Sequence, residues 1–141
     1  TYIDIYAMTN SNSSYGPVTK GIAVGAQSTT SNAIVMRSID NVVDLNNWYH
    51  IAITYDGSLS TDLRFSIFVN GKNVTKYSDI DGNQGSLANI SPNAIDIGDY
   101  FGDHSGQFKG QIDDFRYYHY ALTEPQIKTV MNQGSAVRWG P

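Results

Sequence analysis

The stretch that most constrains what this chain can fold into is its last third. There a strand-like run, Gly-Gln-Ile-Asp-Asp-Phe-Arg-Tyr-Tyr from Gly110 to Tyr118, leads into a fully punctuated short helix. Thr123 can cap the free backbone N–H groups at the helix start, Gln126 can return a hydrogen bond, and Leu122 can staple onto Ile127. Ile127, Val130 and Met131 recur at three- and four-residue spacing, which makes one apolar stripe, and Gly134 offers the left-handed residue that ends such a helix. A helix with a single apolar stripe must lie flat on another layer, and the rest of the chain predicts a β-sandwich beneath it.

Runs rich in β-branched and aromatic residues recur between polar, glycine-bearing turns: Tyr2–Met8, Gly21–Gly25, Ala33–Arg37, Trp48–Tyr55, Leu63–Val69, Ala94–Ile97 and Phe108–Tyr118. Leu63, Phe65, Ile67 and Val69 alternate with Arg64, Ser66 and Phe68, so one face of that strand is expected in the core and the other mostly in water. Tyr49, Ile51, Ile53 and Tyr55 repeat the pattern. Asn70-Gly71 is the strongest hairpin signal, because both central residues of a type I′ turn need positive φ, and Lys72–Thr75 is the expected returning strand. Phe108 and Ile112 fall on even positions and Phe115 and Tyr117 on odd ones, which predicts a β-bulge at Asp113-Asp114 with Tyr117 inward and Tyr118 outward. The expected fold is therefore all-β, an antiparallel two-sheet sandwich with one short C-terminal helix.

Length and charge narrow the function classes. A chain of 141 residues fits one domain over 1–141, able to bury roughly two-thirds of the surface its unfolded form exposes. No apolar run approaches the roughly 20 residues of a membrane-spanning helix. A net charge of −4 with nine scattered basic residues provides no stripe for a phosphate backbone, so nucleic acid is not an expected partner. Without cysteine there are no disulfides and no thiolate metal sites. The chain opens directly in a strand-like run, which reads as a piece of a larger chain or assembly.

In order along the chain stand Trp48-Tyr49-His50-Ile51-Ala52-Ile53-Thr54-Tyr55-Asp56-Gly57, Phe68-Val69-Asn70-Gly71-Lys72, Ile97-Gly98 and Gly110-Gln111-Ile112-Asp113-Asp114-Phe115-Arg116. With the helix that follows, this series resembles the laminin-G-like jelly-roll domains of the concanavalin A-like lectin and glucanase superfamily, over about Trp48 to Gly134. Upstream of Trp48 the resemblance is thin, and relatives usually carry more strand than Thr1 to Asn47 supplies, so one or two N-terminal strands are expected to be missing or divergent. The resemblance implies two antiparallel sheets packed face to face, one concave, with a loop-built rim where relatives bind sugars or proteins. It names no ligand, since function lives in sites rather than folds.

Several residue groups could carry chemistry. Glycosidases need two carboxyl groups about 5–10 Å apart, yet Glu124 is the only glutamate, and its place in the first turn of a helix is explained by the helix dipole. The paired-glutamate motif of the superfamily's glucanases is absent, so a non-catalytic domain is expected. His50, His104 and His119 stand apart, without partners at metal or triad spacing. Asp79, Asp81 and Asn83 place oxygens at positions one, three and five of a calcium-type loop, but Gln84 and Ile90 stand where glycine and a bidentate acid are needed, leaving a solvated turn as the alternative. The resemblance implies a second structural calcium route through Asp113 or Asp114 of the last strand, against which stands a purely local role in backbone bonds or pairing with Arg116. Asp99-Tyr100-Phe101-Gly102-Asp103-His104 combines rings with polar groups. Tyr100 and Phe101 could stack on sugar faces while Asp99, Asp103 and His104 bond hydroxyls. Trp48, at the head of a core strand, is expected to pack rather than bind, and the sequons at Asn12, Asn73 and Asn89 are of the number that an Asn/Ser/Thr-rich chain produces by chance.

The expected function is a binding or adhesion module of a secreted, cell-surface or virion-surface protein, recognising carbohydrate. The alternative is a structural domain of a fibre, capsid or adhesin whose surface meets other protein chains and binds no sugar.

Overall fold

The computed structural model describes residues 2–8, 19–27, 33–60, 63–76, 97 and 108–133. Six strands and one helix follow one another: β1 (Tyr2–Met8), β2 (Gly21–Gln27), β3 (Ala33–Arg37), β4 (Ile51–Tyr55), β5 (Phe65–Val69), β6 (Lys72–Asn73) and α1 (Glu124–Gln133). They form two antiparallel three-stranded sheets, β1-β2-β3 and β4-β5-β6. The all-β architecture with one short helix read from the sequence is the architecture observed, and it accords with a jelly-roll sandwich.

The second sheet is organised by the Asn70-Gly71 turn. Asn70 has φ 49° and Gly71 φ 72°, the positive pair a two-residue type I′ hairpin demands, and Val69 and Lys72 face each other across it. From this turn the register runs back as Ile51↔Val69, Ile53↔Ile67 and Tyr55↔Phe65. The last pair stacks its rings at 4.8 Å between centroids, a cross-strand contact that reinforces the register.

The two sheets meet at a corner. Beyond β3 and β6 the chain makes one further bridge, Ser38↔Thr75, flanked by Ile39 N–H to Val74 O and Lys76 N–H to Arg37 O, both 2.8 Å. Ser38 is wholly buried there. Its hydroxyl accepts the Ile22 N–H at 2.9 Å and donates to Ile39 O at 2.8 Å, so neither polar atom is left unmet. Around this corner Ile22, Val24, Met36, Phe65, Ile67, Val69 and Val74 form one apolar cluster, with Val42, Val43, Tyr49, Ile51, Ile53 and Tyr55 packed against it as half-buried flanks. The residues read as inward on β4 and β5 therefore meet at this cluster, although every residue of β4 is half-buried.

Helix α1 begins with the returning bond the sequence predicts from Gln126, while the Thr123 hydroxyl, read as an acceptor for a free helix N–H, donates to Gln126 instead. The amide and hydroxyl of Thr123 both donate to Gln126 Oε1, at 2.8 and 2.9 Å, and the first helical bond runs from Ile127 N–H to Thr123 O. Pro125 occupies the first turn, where a missing N–H costs nothing. The helix seats on the hairpin: a Cβ placed on Gly71 would stand 2.9 Å from Lys128 Cγ and 3.6 Å from Met131 Cε. Ile127 is 0% exposed, so the helix buries its apolar stripe at this residue.

Four sequence expectations are corrected. Phe68, assigned to the wet face of β5, is only 5% exposed. Leu63 is exposed, since its N–H still closes a turn on Ser60 O and the strand starts at Phe65. Trp48 is 65% exposed: the ladder begins at Ile51, and residues before it approach the sheet from its end. The expected strand Phe108–Tyr118 and its bulge are not formed among the described residues. Tyr117, read as inward, is 69% exposed, while Tyr118 is half-buried. Asp114 takes φ 53° here, and local side-chain bonds described below compete with any ladder. The expected strand Ala94–Ile97 lies outside the described residues except for Ile97, which is exposed.

Gly71→Ala is expected to lower unfolding free energy by about 1–3 kcal/mol, combining a disfavoured left-handed alanine with the crowding at Lys128. Asn70→Gly, which keeps the backbone free but loses one hydrogen bond, is expected to cost about 1 kcal/mol. Urea midpoints of the two variants against the unaltered chain check the ordering.

Candidate functional site

The residues singled out from the sequence divide into those the structure places and those it does not. Asp79, Asp81 and Asn83, and the loop residues Asp99, Tyr100, Phe101, Asp103 and His104, lie outside the described residues. Asp113 and Asp114 are placed, on the exposed segment before the helix. The Arg116 guanidinium grips Asp114 in a two-pronged pair, Nε to Oδ1 and Nη2 to Oδ2, each 2.8 Å, while Asp113 Oδ1 accepts the Asp114 N–H at 2.8 Å. This is the local arrangement the sequence offered as the alternative to calcium. A cation at Asp114 would have to displace a bidentate arginine. Among the described residues no group of three or more His, Asp or Glu side chains gathers in metal-binding geometry.

The pair stands near a histidine that sequence spacing treated as ordinary. His50 N–H donates to Asn70 Oδ1 at 2.9 Å and Asn70 N–H donates to His50 O at 2.8 Å, so the hairpin turn clips the entry to β4. The imidazole is half-buried, and its Nδ1 is buried without a hydrogen-bond partner. Burial holds the His50 pKa below its ordinary value, the nearby Arg116 charge pushes the same way, and Asp114 partly opposes them. The clue available in the sequence was only the Tyr-His-Ile series entering a core strand, which does not reveal that the side chain loses its solvent.

A cleft opens on the same hairpin. It is a shallow, open depression of about 420 Å³ between the turn Ile39–Val42, just past the sheet corner, and the hairpin residues Val69, Asn70, Lys72 and Val74. Ile39 and Val42 supply apolar surface, Val69 and Val74 being buried; Asp40, Asn41, Asn70 and Lys72 supply polar groups. The 39–42 turn is held by backbone bonds from Asn41 N–H to Thr19 O and from Val42 N–H to Lys20 O, both 2.9 Å, and by the Thr19 N–H donated to Asp40 Oδ1 at 2.7 Å. Asn41 has φ 60°, a conformation asparagine tolerates better than most residues. A Lys20–Asp44 ion pair at 2.7 Å braces the turn from outside, though both side chains are exposed and such a pair adds little. Reading the sequence did not single out this cleft; the Asp40-Asn41 turn signal before Val42-Val43 was visible, but its opposition to the hairpin was not.

Two other local features are structural. Asp56 Oδ1 accepts both the N–H and the hydroxyl of Ser58, which holds its carboxyl below the usual aspartate range and closes the turn after β4. The Asn73 sequon is folded onto itself, with Thr75 N–H and Oγ1 both donating to Asn73 Oδ1.

The Laminin_G_3 family model, described as the concanavalin A-like lectin/glucanases superfamily, matches residues 6–128. The chain belongs to this family. The match takes in the region upstream of Trp48, where the motifs alone gave little likeness. No curated protein and no solved structure matches the chain significantly. Laminin-G-like domains are typically non-catalytic binding modules for ligands or proteins and are commonly extracellular. Among the described residues no helix is long and apolar enough to cross a membrane.

The depressed His50 pKa has a signed consequence. Between the folded value and the ordinary 6.5, the unfolded chain binds more protons than the folded one, so stability is full above about pH 6.5 and declines as the pH falls through that window. Urea unfolding followed from about pH 7 down to about pH 5 is expected to show this decline, and His50→Leu to flatten it.

Proposed function

We propose that this laminin-G-like domain is a non-catalytic module of a secreted or surface protein, and that its ligand is carbohydrate. The observation that carries the non-catalytic part is the fate of its only glutamate. Glu124 sits in the first turn of α1, with its carboxylate 2.6 Å from Lys128 one helical turn on, in a structural role that leaves no glutamate for an acid pair. The carbohydrate part rests on family membership and on the residue chemistry of Asp99–His104: Tyr100 and Phe101 stack on sugar faces while Asp99, Asp103 and His104 bond hydroxyls. A structural calcium at Asp79, Asp81 and Asn83 fixes loop geometry in this reading.

One observation favours the rival class, a domain with protein partners in a fibre, capsid or adhesin. Phe108, Ile112, Phe115, Tyr117 and Tyr120 are all about half exposed or more along one segment, and aromatic residues are enriched at protein interfaces.

Glycan-array binding by the unaltered chain, lost in the double variant Tyr100→Ala with Phe101→Ala, is the expected outcome. Binding that persists in the double variant removes that loop from the site. A melting temperature unmoved by every oligosaccharide tried, together with a stable multimer by light scattering, selects the protein-partner class instead. Added calcium is expected to raise the melting temperature of the unaltered chain but not of Asp79→Asn with Asp81→Asn.

A further inference from the structure

We propose, resting on the carbohydrate reading above, that the cleft between the 39–42 turn and the β5–β6 hairpin is a second sugar subsite that accepts one neutral pyranose ring. Several polar groups at the cleft have bonding capacity left among the described residues. Among the described residues, Asp40 uses one carboxylate oxygen on the Thr19 amide and keeps the other, and Asn70 uses its side-chain oxygen on the His50 amide and keeps its NH₂ group. The Asn41 carboxamide and the Lys72 ammonium bond to no other described residue. The cleft thus offers acceptors and donors together, which matches a hydroxyl group, since each hydroxyl both gives and receives.

Charge and shape narrow the ligand further. Asp40 and Lys72 line the same opening with opposite charges, so a lone anion gains from one and is repelled by the other, and the same holds for a cation. A neutral, polyhydroxylated molecule meets no such penalty. Exposed Ile39 and half-buried Val42 provide a small apolar patch for the C–H face of a pyranose, and a volume of about 420 Å³ suits one or two rings rather than an extended chain. The rim is also preset. Asn41 and Asn70 hold their left-handed backbone through bonds to Thr19 O and His50 O, so little of the rim backbone has to be ordered when ligand arrives. No ring lines the cleft among the described residues, so binding is expected to be weak, on the order of millimolar.

The test is NMR titration of the unaltered, isotope-labelled chain with methyl pyranosides of glucose, galactose and mannose, up to roughly tens of millimolar. The expected result is saturable movement of the Asn41 and Asn70 side-chain amide signals and of the Val42, Val69 and Val74 methyl signals. Lys72→Met and Asn41→Gly, the latter keeping the positive φ, are expected to weaken that movement at least several-fold while melting stays close to that of the unaltered chain. A glycoside that binds and shifts signals elsewhere, leaving these unmoved, overturns the cleft and leaves the carbohydrate reading standing. If no glycoside moves any signal while the glycan array is positive, the cleft alone falls; if the array is also blank, both fall.

Discussion

The left-handed turn at Asn70-Gly71 is the constraint on which most of the described structure depends. Two consecutive residues at positive φ set a two-residue loop, and the loop sets the register of β5 against β6. The Asn70 backbone and side chain then clip His50, and through it the start of β4, so one turn aligns three strands. The missing Cβ of Gly71 lets α1 approach on the outside, while Val69, Asn70 and Lys72 line the cleft. The hairpin end is accordingly where strand register, helix docking and the candidate subsite converge.

A second constraint is the corner where the sheets meet. Ser38 is buried in the core yet fully bonded, and its bridge to Thr75 joins two sheets that otherwise have separate ladders. A buried hydroxyl with both roles satisfied is tolerated, whereas one left unmet costs about 1–3 kcal/mol. The corner also sets the distance between the 39–42 turn and the hairpin, because the bond from Ile39 N–H to Val74 O ties the two walls of the cleft together at its base. Structural and binding roles thus share the same residues, which ties any ligand preference of the cleft to the geometry of the core.

Different parts of this arrangement were legible to different degrees. β1 and β3 were readable to their end residues, and β2, β4 and β5 to within a few, because alternation and β-branched composition act over the length of a strand. The segment 108–118 carried equally strong composition but forms no ladder among the described residues. Its Asp113, Asp114 and Arg116 satisfy one another within a few residues, and apolar periodicity does not register that competition. Phe68 shows the opposite failure: alternation puts it on the outer face of β5, yet it is buried, because a two-residue period does not register what covers that face. The cleft was illegible for the same reason, since neither of its walls is a motif by itself.

What the sequence by itself determined are the features whose energy is settled within a few residues. The Asn-Gly turn follows from the sterics of positive φ, the helix start from hydrogen bonds between Thr123 and Gln126, and the Asp114–Arg116 pair from two side chains two positions apart. Only the tertiary structure decided that Trp48 stands in solvent, that Phe68 is covered, that His50 Nδ1 is buried without a partner, and that Asp40 and Lys72 line one opening. Each of these depends on which surfaces from remote parts of the chain exclude water from one another, and a local pattern carries no information about that.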